Sequence, residues 1–215
     1  MVLIHGLARS KRSMKRMRTR LAALGYTVAN VDYPSRHHAI ETLAPDAVNR
    51  GLAECRSHDA STIHFVTHSL GGILVRHEFA RAKPPELGRV VMLGPPNQGS
   101  EVVDALRNTP GFLAFNGPAG QQLGTDANST PLALGPADFP VGIIAGTRSI
   151  NPILSQWLPN PDDGKVSVAR ARLEGMSGFL AMPVAHPFLM SNRQVIEQVV
   201  HFLADGEFSR DCGDE

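Results

Sequence analysis

The sequence has few of the residues that mark several large classes of protein. Its 215 residues include only two cysteines, Cys55 and Cys212, so a disulfide framework is not expected, and we predict no bond between these two. No apolar run approaches the roughly 20 residues of a membrane-spanning helix, and the opening run is too short for a secretion signal. A formal net charge of +1 gives no reason to expect nucleic acid. We therefore predict neither a nucleic-acid partner nor stable membrane insertion.

The remaining composition is that of an ordinary globular protein. With 42% hydrophobic and 19% charged residues, a chain of this length can bury one full core, so we predict a single domain over residues 1–215. Its polar end, residues 206–215, is expected to fray. We expect a cytoplasmic protein unless a leader upstream of Met1 is missing from the sequence, and nothing in the pattern indicates the oligomeric state.

Short apolar runs alternate with longer helical patterns along the chain. This alternation predicts repeated βα units, and hence a doubly wound, mostly parallel sheet of about six strands with helices on both faces. The predicted strands are Val2 to His5, Thr27 to Tyr33, Thr62 to Thr67, Arg89 to Leu93, Val141 to Ala145 and Phe179 to Val184. Helical spacing covers residues 11–24, 39–57, 70–82, 100–107 and 191–204.

Three segments call for separate interpretation. Residues 108–139 are dense in Gly, Pro and Asn, which predicts a long irregular excursion that forms a pocket wall or a lid. A second excursion, residues 147–165, contains Trp157. The first helix combines a stripe of Met14, Met17, Leu21 and Leu24 with six cations, a pattern that favours a solvated basic face over an anion or membrane site.

A serine lies at the predicted joint between the third strand and the following helix. In "HFVTHSLGG", Ser69 follows an apolar run and precedes Gly71 and Gly72. A serine on such a tight turn presents its hydroxyl above the sheet edge as a nucleophile, and close approach of strand and helix requires small neighbours. Thr67 occupies the first glycine position of the usual Gly-x-Ser-x-Gly pattern. A serine that merely caps the helix fits the local pattern equally well.

The order of residues along the chain favours the nucleophile. A serine needs a histidine to take its proton and a carboxylate to orient that histidine, and both must come from loops after later strands. His186 lies in such a loop, whereas His201, the alternative, falls within a helical pattern. For the carboxylate we favour Asp163, which a following glycine fixes in a turn, over Asp162.

The end of the first predicted strand supplies a hydrogen-bond donor that the reaction of such a serine also needs. Attack on an ester builds a negative oxygen, which needs preorganised N–H donors. Gly6 at the end of the first strand lets the N–H of Leu7 turn toward the site, and the N–H of Leu70 lies at the start of a helix, where such groups are unpaired. His5 is expected to brace this loop.

Together these motifs resemble the α/β-hydrolase superfamily, in particular bacterial serine esterases and lipases with a His-Gly oxyanion loop. "VLIHGL" resembles their oxyanion loop, "THSLGG" their nucleophile elbow, "DDGKVSV" their aspartate loop and "AHPF" their histidine loop. The resemblance covers nearly the whole chain and implies a triad of Ser69, Asp163 and His186, with Leu7 and Leu70 as oxyanion donors. Two further stretches, residues 31–36 and 92–101, resemble pocket-lining segments of the same enzymes.

The resemblance implies a small, minimal hydrolase. We predict a serine carboxylic-ester hydrolase, an esterase or lipase, that acts through an acyl-enzyme on small-molecule esters of short-to-medium acyl length. Substrate contacts are predicted at His68, Tyr33 and Phe115, with no metal ion or other cofactor. An acyltransferase or thioesterase with the same triad is the alternative, and a non-enzymatic binding protein on this fold is a third hypothesis.

Overall fold

The computed structural model describes residues 1–210 and contains one sheet of six parallel strands. These are β1 Val2–Ile4, β2 Ala29–Val31, β3 Ile63–His68, β4 Leu87–Leu93, β5 Val141–Gly146 and β6 Gly178–Met182. They lie in the order β2-β1-β3-β4-β5-β6. The predicted parallel sheet is confirmed, and because all strands run the same way, the loops that follow them meet at one edge. Cys212 lies outside the described residues, as do residues 211–215 of the segment 206–215 that was predicted to fray.

Helices cover both faces of the sheet. A 3-10 turn, Lys11–Met14, leads into the first helix, and a second, His186–Ser191, precedes the last. The helices are α1 Lys15–Ala23, α2 Ile40–Arg56, α3 Leu70–Phe79, α4 Glu101–Leu106, α5 Phe112–Gln121, α6 Thr130–Ala133, α7 Pro152–Ser155, α8 Val168–Ala171 and α9 Arg193–Asp205. The five helical stretches predicted from the sequence are all present, with ends that differ by a few residues.

The alternation of side chains along each strand produces two cores. Ile4 and Phe65 face the α2 and α3 side, while their chain neighbours Leu3 and Val66 face the side of α1 and α9. All four are fully buried, which explains why the strands read as continuous apolar runs. The sheet is thereby held from both sides, and its carboxyl edge becomes a fixed platform for the loops.

The first helix has the predicted amphipathic pattern, with one exception. Met14, Met17 and Leu21 are fully buried, but Leu24, the last residue of the predicted stripe, is 42% exposed because the helix has ended one residue earlier. The basic side chains lie on the outer face. One of them, Arg20, pairs with Glu197 at 3.0 Å and joins α1 to α9.

The prediction of an irregular excursion is wrong over part of residues 108–139. Residues 112–121 form α5, and residues 130–133 form α6. Gly117 kinks α5, since its φ of 67° and ψ of −176° are not helical, and Pro118 follows directly. Gly and Pro therefore mark the kink and the ends of helices here, where the composition indicated a loop. The 147–165 excursion likewise contains the short helix α7.

Candidate active site

Ser69 joins β3 to α3 in a sharply turned backbone. Its φ of 52° and ψ of −121° lie in a region that residues with a side chain rarely adopt. The turn is held because the N–H of Ser69 donates to the carbonyl of Leu93 at the end of β4, at 2.8 Å. Its side chain makes no capping hydrogen bond to α3, so the hydroxyl does not serve as the helix cap that the sequence left open. Ser69 is instead partly exposed at the carboxyl edge of the sheet.

Glycines allow the two backbones at this joint to approach each other. A methyl group on Gly71 would lie 2.6 Å from the carbonyl oxygen of Ile4 and 2.9 Å from that of His5. On Gly6 it would lie 3.0 Å from the Cβ of Ser69. The loop after β1 and the turn at Ser69 are therefore in contact because neither glycine carries a side chain.

His186 and Asp163 form a buried hydrogen-bonded pair. His186 Nδ1 donates to Asp163 Oδ2 at 2.7 Å, and the N–H of His186 donates to the carbonyl of Asp163 at 3.0 Å. The second carboxylate oxygen of Asp163 accepts from the N–H groups of Lys165 and Val166, at 3.0 and 2.9 Å. These bonds fix the carboxylate and leave Nε2 as the histidine nitrogen that can take a proton.

Asp162, the alternative carboxylate, points elsewhere. Its Oδ1 accepts from the N–H of Gly164 at 2.7 Å and from the hydroxyl of Ser155 at 2.9 Å. Asp162 therefore holds the turn to the end of α7, while Asp163 contacts the imidazole. The hydrogen bonds thus show which of the two neighbouring aspartates contacts His186, for which the sequence indicated only a preference.

Ser69 and His186 line the same cleft, whose volume is about 320 Å³. Apolar side chains form much of its wall, including Val102, Val103, Phe112, Leu123 and Val166. Phe115, predicted to contact substrate, lines the rim and is 64% exposed. The cleft thus joins a polar site to an apolar wall, as binding of an acyl chain beside a nucleophile requires.

Two backbone N–H groups are available at the end of the cleft near Ser69. Leu7 follows β1 and lines the cleft, and Leu70 is the first residue of α3. Within residues 1–210, neither N–H has a hydrogen-bond partner. The loop at Leu7 is held by the next residue, Ala8, whose N–H donates to the hydroxyl of Ser35 at 3.1 Å.

His5 and Tyr33 brace this loop from below. Their rings stack with centroids 4.2 Å apart, and the hydroxyl of Tyr33 donates to the carbonyl of His5 at 2.7 Å. His5 Nδ1 donates to the carbonyl of Gly6 at 2.9 Å, and burial lowers the pKa of His5 below its usual value. Tyr33 was predicted to contact substrate, but the structure does not bring it into the cleft with Ser69. It lines an adjoining cavity of about 340 Å³, and its hydroxyl is engaged within the fold.

His68 contacts the site from inside the protein. It is 2% exposed, and its Nε2 donates to the carbonyl of His186 at 3.1 Å. Burial, and secondarily the neighbouring His186, hold the pKa of His68 well below its usual value, so the ring is neutral. His68 therefore lines the cleft, as predicted for a substrate contact, but its donor nitrogen supports the backbone of His186.

Gly94, which the sequence placed only in a general pocket-lining stretch, lies against the His–Asp pair. Its φ is +54°, and a methyl group there would lie 3.0 Å from His186 Nδ1 and 3.1 Å from Asp163 Oδ2. The sequence signal that could have identified Gly94 is its position directly after β4, at the same edge of the sheet as Ser69. A side chain at this position would displace the pair.

Two observations concern other kinds of site. Among residues 1–210, no group of three or more His, Cys, Asp or Glu side chains is arranged to hold a metal ion. Over the same residues, no helix combines the length and apolar character needed to cross a membrane.

Comparisons with known proteins identify the family and the fold. The model of the alpha/beta hydrolase family matches residues 1–206. A mature lipase of Bacillus licheniformis superposes with a TM-score of 0.72 at 18% identity, covering 94% of this chain and 90% of the lipase. An esterase of a Rhodococcus species gives a TM-score of 0.59 at 16% identity, covering 95% of this chain and 90% of the esterase. A monoacylglycerol lipase of Paleococcus ferrophilus gives a TM-score of 0.57 at 16% identity, covering 95% of this chain and 93% of the lipase. At these identities the likeness concerns the fold. No curated protein sequence matches the chain significantly.

Proposed function

The chain belongs to the alpha/beta hydrolase family, and on that premise we propose that it is a serine carboxylic-ester hydrolase that works through an acyl-enzyme. The observation that carries the proposal is the bond between His186 and Asp163, in a cleft that Ser69 also lines. A buried carboxylate that orients a histidine beside a serine on a sharp turn is the arrangement that activates a hydroxyl.

The proposed reaction has two halves. His186 Nε2 takes the proton of Ser69 as its Oγ attacks the ester carbonyl, and the oxygen that becomes negative accepts from the N–H groups of Leu7 and Leu70. Collapse of this intermediate breaks the ester bond, and the leaving alcohol takes the proton back from His186. Water then attacks the acyl group on Ser69 by the same proton route, releasing the carboxylic acid and restoring the serine.

The apolar wall of the cleft supports an acyl group of short-to-medium length. A series of p-nitrophenyl esters from acetate to palmitate measures this preference, and we expect kcat/KM to peak before the long chains. Activity that rises steadily to palmitate would contradict the proposed preference for short-to-medium acyl chains but not the proposed ester hydrolysis. Product analysis with water and an alcohol as competing acceptors distinguishes hydrolysis from acyl transfer.

Replacement of the nucleophile tests the reaction type. Ser69→Ala is expected to abolish both hydrolysis of p-nitrophenyl butanoate and labelling by a fluorophosphonate, because the attacking oxygen is gone. Ser61→Ala is the matched control, since Ser61 is exposed just before β3, at the opposite edge of the sheet. Hydrolysis and labelling that survive in Ser69→Ala would refute the proposal.

The two aspartates provide a second test of the same site. Asp163→Asn removes the charge that supports the imidazolium and is expected to lower kcat about 10⁴-fold. Asp162→Asn changes a neighbour with its own turn bonds, so its main cost is expected in stability. Equal losses of kcat in the two variants would argue against the assignment of Asp163.

A further inference from the structure

We propose that the cleft selects esters that carry a second, negatively charged group, and that Arg9 and Lys165 bind this group. The inference rests on the proposed ester hydrolysis and names its substrate class. It starts from the charge of the cleft wall. Arg9 and Lys165 both line the cleft that holds Ser69 and His186, and no carboxylate among the described residues lines it.

The two cations stand on opposite sides of the nucleophile. Arg9 lies in the loop after β1, two residues beyond Leu7, and Lys165 lies in the loop after β5, two residues beyond Asp163. In the sheet, β1 is next to β3 on one side, whereas β5 lies beyond β4 on the other. A substrate whose ester is at Ser69 therefore has a cation within the same cleft on either side.

Two hydrogen bonds hold the backbone of Lys165 in place. Its N–H donates to Asp163 Oδ1 at 3.0 Å, and its carbonyl accepts from the hydroxyl of Ser100 at 2.7 Å. Its side chain is exposed, yet the surrounding walls remove part of its hydration and lower its pKa, an effect to which the charge of Arg9 adds and which Asp163 opposes. Arg9 thus repels Lys165 across the cleft, although the attraction of Asp163 for Lys165 is the larger of the two charge effects.

Neither cation is neutralised within the described part of the chain. Ion pairs hold other cations of the molecule, including Arg56 with Glu86 at 2.9 Å and Arg170 with Glu101 at 2.7 Å, but none involves Arg9 or Lys165. The adjoining cavity shares Arg9 and adds Arg36 and His37 to its wall. Positive charge therefore continues beyond the cleft, with no acidic side chain in either lining.

An anionic group on the substrate would relieve this repulsion and gain two charge-assisted contacts. A carboxylate or phosphate has the required charge, and it could be attached to the acyl part or to the alcohol part of the ester. The apolar wall would then contact the chain between the ester and the charge. Binding energy of this kind raises kcat/KM for the anionic ester relative to a neutral ester of equal length.

Two matched ester pairs test the proposal in the full-length protein. Mono-p-nitrophenyl glutarate against p-nitrophenyl pentanoate places the charge on the acyl part, and para-carboxyphenyl against para-carbamoylphenyl butanoate places it on the alcohol part. The measured quantity is the ratio of kcat/KM for the anionic ester to that for the neutral one. We expect this ratio to exceed one in at least one pair and to fall as ionic strength rises.

Variants then assign the effect to the two cations. Arg9→Gln and Lys165→Gln are each expected to lower that ratio about threefold, and the double variant about tenfold. Lys165→Arg, which keeps the charge, should retain it. Arg81→Gln is the matched control: it removes one exposed cation beyond the far end of α3, about 15 Å of helix away from Ser69.

The outcomes separate this inference from the function on which it rests. A ratio at or below one in both pairs, or a ratio that Arg9→Gln and Lys165→Gln leave at the Arg81→Gln value, overturns the anion preference while ester hydrolysis stands. Each rate is taken after subtraction of the rate without enzyme, because the free carboxylate of the glutarate ester also attacks its own ester group. Hydrolysis of none of the four esters above that rate, or hydrolysis above it that persists in Ser69→Ala, overturns the proposed function itself.

Discussion

The two walls of the cleft differ in how firmly the fold holds them. One wall, here called the elbow wall, consists of the loop at residues 5–8 and the joint at residues 67–72. The other, the helical wall, consists of residues 101–123. In the elbow wall Thr67 and Leu70 are fully buried, whereas Leu113 and Phe115 of the helical wall are 54% and 64% exposed. The residues that flank Ser69 on either side therefore belong to the packed core, whereas the tip of the helical wall is open to solvent.

The helical wall is nevertheless fixed at its base. Gln122 accepts from the N–H of Ile40 at 2.7 Å and donates to Glu41, which ties the end of α5 to the start of α2. Gly117 lies directly against the carbonyl of Arg36, where a side chain would not fit. The exposed turn from Phe112 to Phe115 extends from this base. Substitutions in the elbow wall should therefore affect folding and reaction together, while those at the tip of the helical wall should affect only substrate choice.

The largest effect is expected for Gly71→Ala in the elbow wall. The added methyl group would meet the carbonyl oxygens of Ile4 and His5, which are backbone atoms that cannot move without displacing the loop after β1. We expect a loss of about 2–3 kcal/mol in unfolding free energy and at least about tenfold in kcat. Urea unfolding and p-nitrophenyl butanoate hydrolysis measure the two.

The control for this change is Gly111→Ala at the start of α5. Gly111 also has a positive φ, 86°, but a methyl group there meets open space. Its cost should be limited to about 1 kcal/mol of backbone strain, with activity retained. Similar losses in both variants would contradict the proposed difference between the walls.

Acid should lower the stability of the fold through two histidines of the elbow wall. Burial lowers the pKa of His5 and His68, so the unfolded chain, with ordinary histidines, takes up protons before the folded one as the pH falls below about 6.5. Their stabilisation is complete above that pH and is lost below it, by up to about 1.4 kcal/mol per pH unit for each histidine. We expect His68→Gln to reduce the loss of stability between pH 7 and pH 5.

Urea unfolding at the two pH values measures this effect. His38→Gln, at an exposed position, is the control and is expected to keep the wild-type loss. An unchanged pH dependence in His68→Gln would show that the acid sensitivity arises elsewhere, for example at His64, whose pKa burial also lowers.

Thr67 offers a smaller test within the elbow wall. It is fully buried, and in the described part of the chain its hydroxyl has no hydrogen-bond partner. Thr67→Val removes this unpaired hydroxyl and is expected to be neutral or stabilising by up to about 1 kcal/mol. Thr67→Gly should lose about 1 kcal/mol through added backbone freedom, yet remain folded and active. A folded but inactive Thr67→Gly would reveal a role of this side chain in the reaction.

The smallest effect is expected at the tip of the helical wall. Because Phe115 is exposed, Phe115→Ala should change stability by less than about 0.5 kcal/mol. It lines the cleft, so the ratio of kcat/KM for hexanoate to that for acetate should fall about threefold. Leu113→Ala, on the same helix but outside the cleft lining, should leave this ratio unchanged. A large loss of stability in Phe115→Ala would contradict the comparison.

The sequence predicted best those features that parallel strands dictate. The family matches confirm the resemblance to α/β-hydrolases inferred from the sequence. Since every strand ends at the same edge, the segments that follow β1, β3, β5 and β6 had to converge, and Leu7, Ser69, Asp163 and His186 lie in these segments. The triad and oxyanion roles of these residues stay predictions until the variants above are measured.

The sequence could not predict what depends on side-chain direction. The sequence favoured Asp163 over Asp162 but did not show that Asp162 accepts from Ser155 while Asp163 contacts His186. Nor did it show that the hydroxyl of Tyr33 donates to the carbonyl of His5. The helix α5 was missed because Gly117 and Pro118, which break helices in isolation, form a kink here that packing against Arg36 stabilises.

The backbone of Ser69 has a consequence for engineering this protein. A residue with a side chain held at φ 52° costs the fold about 1–3 kcal/mol, and glycine relieves most of that cost. A library screened for thermal stability alone is therefore expected to enrich glycine at position 69 and to discard the proposed nucleophile. Directed evolution of a more robust variant needs a hydrolysis assay in every round, because at this position stability and reactivity select opposite residues.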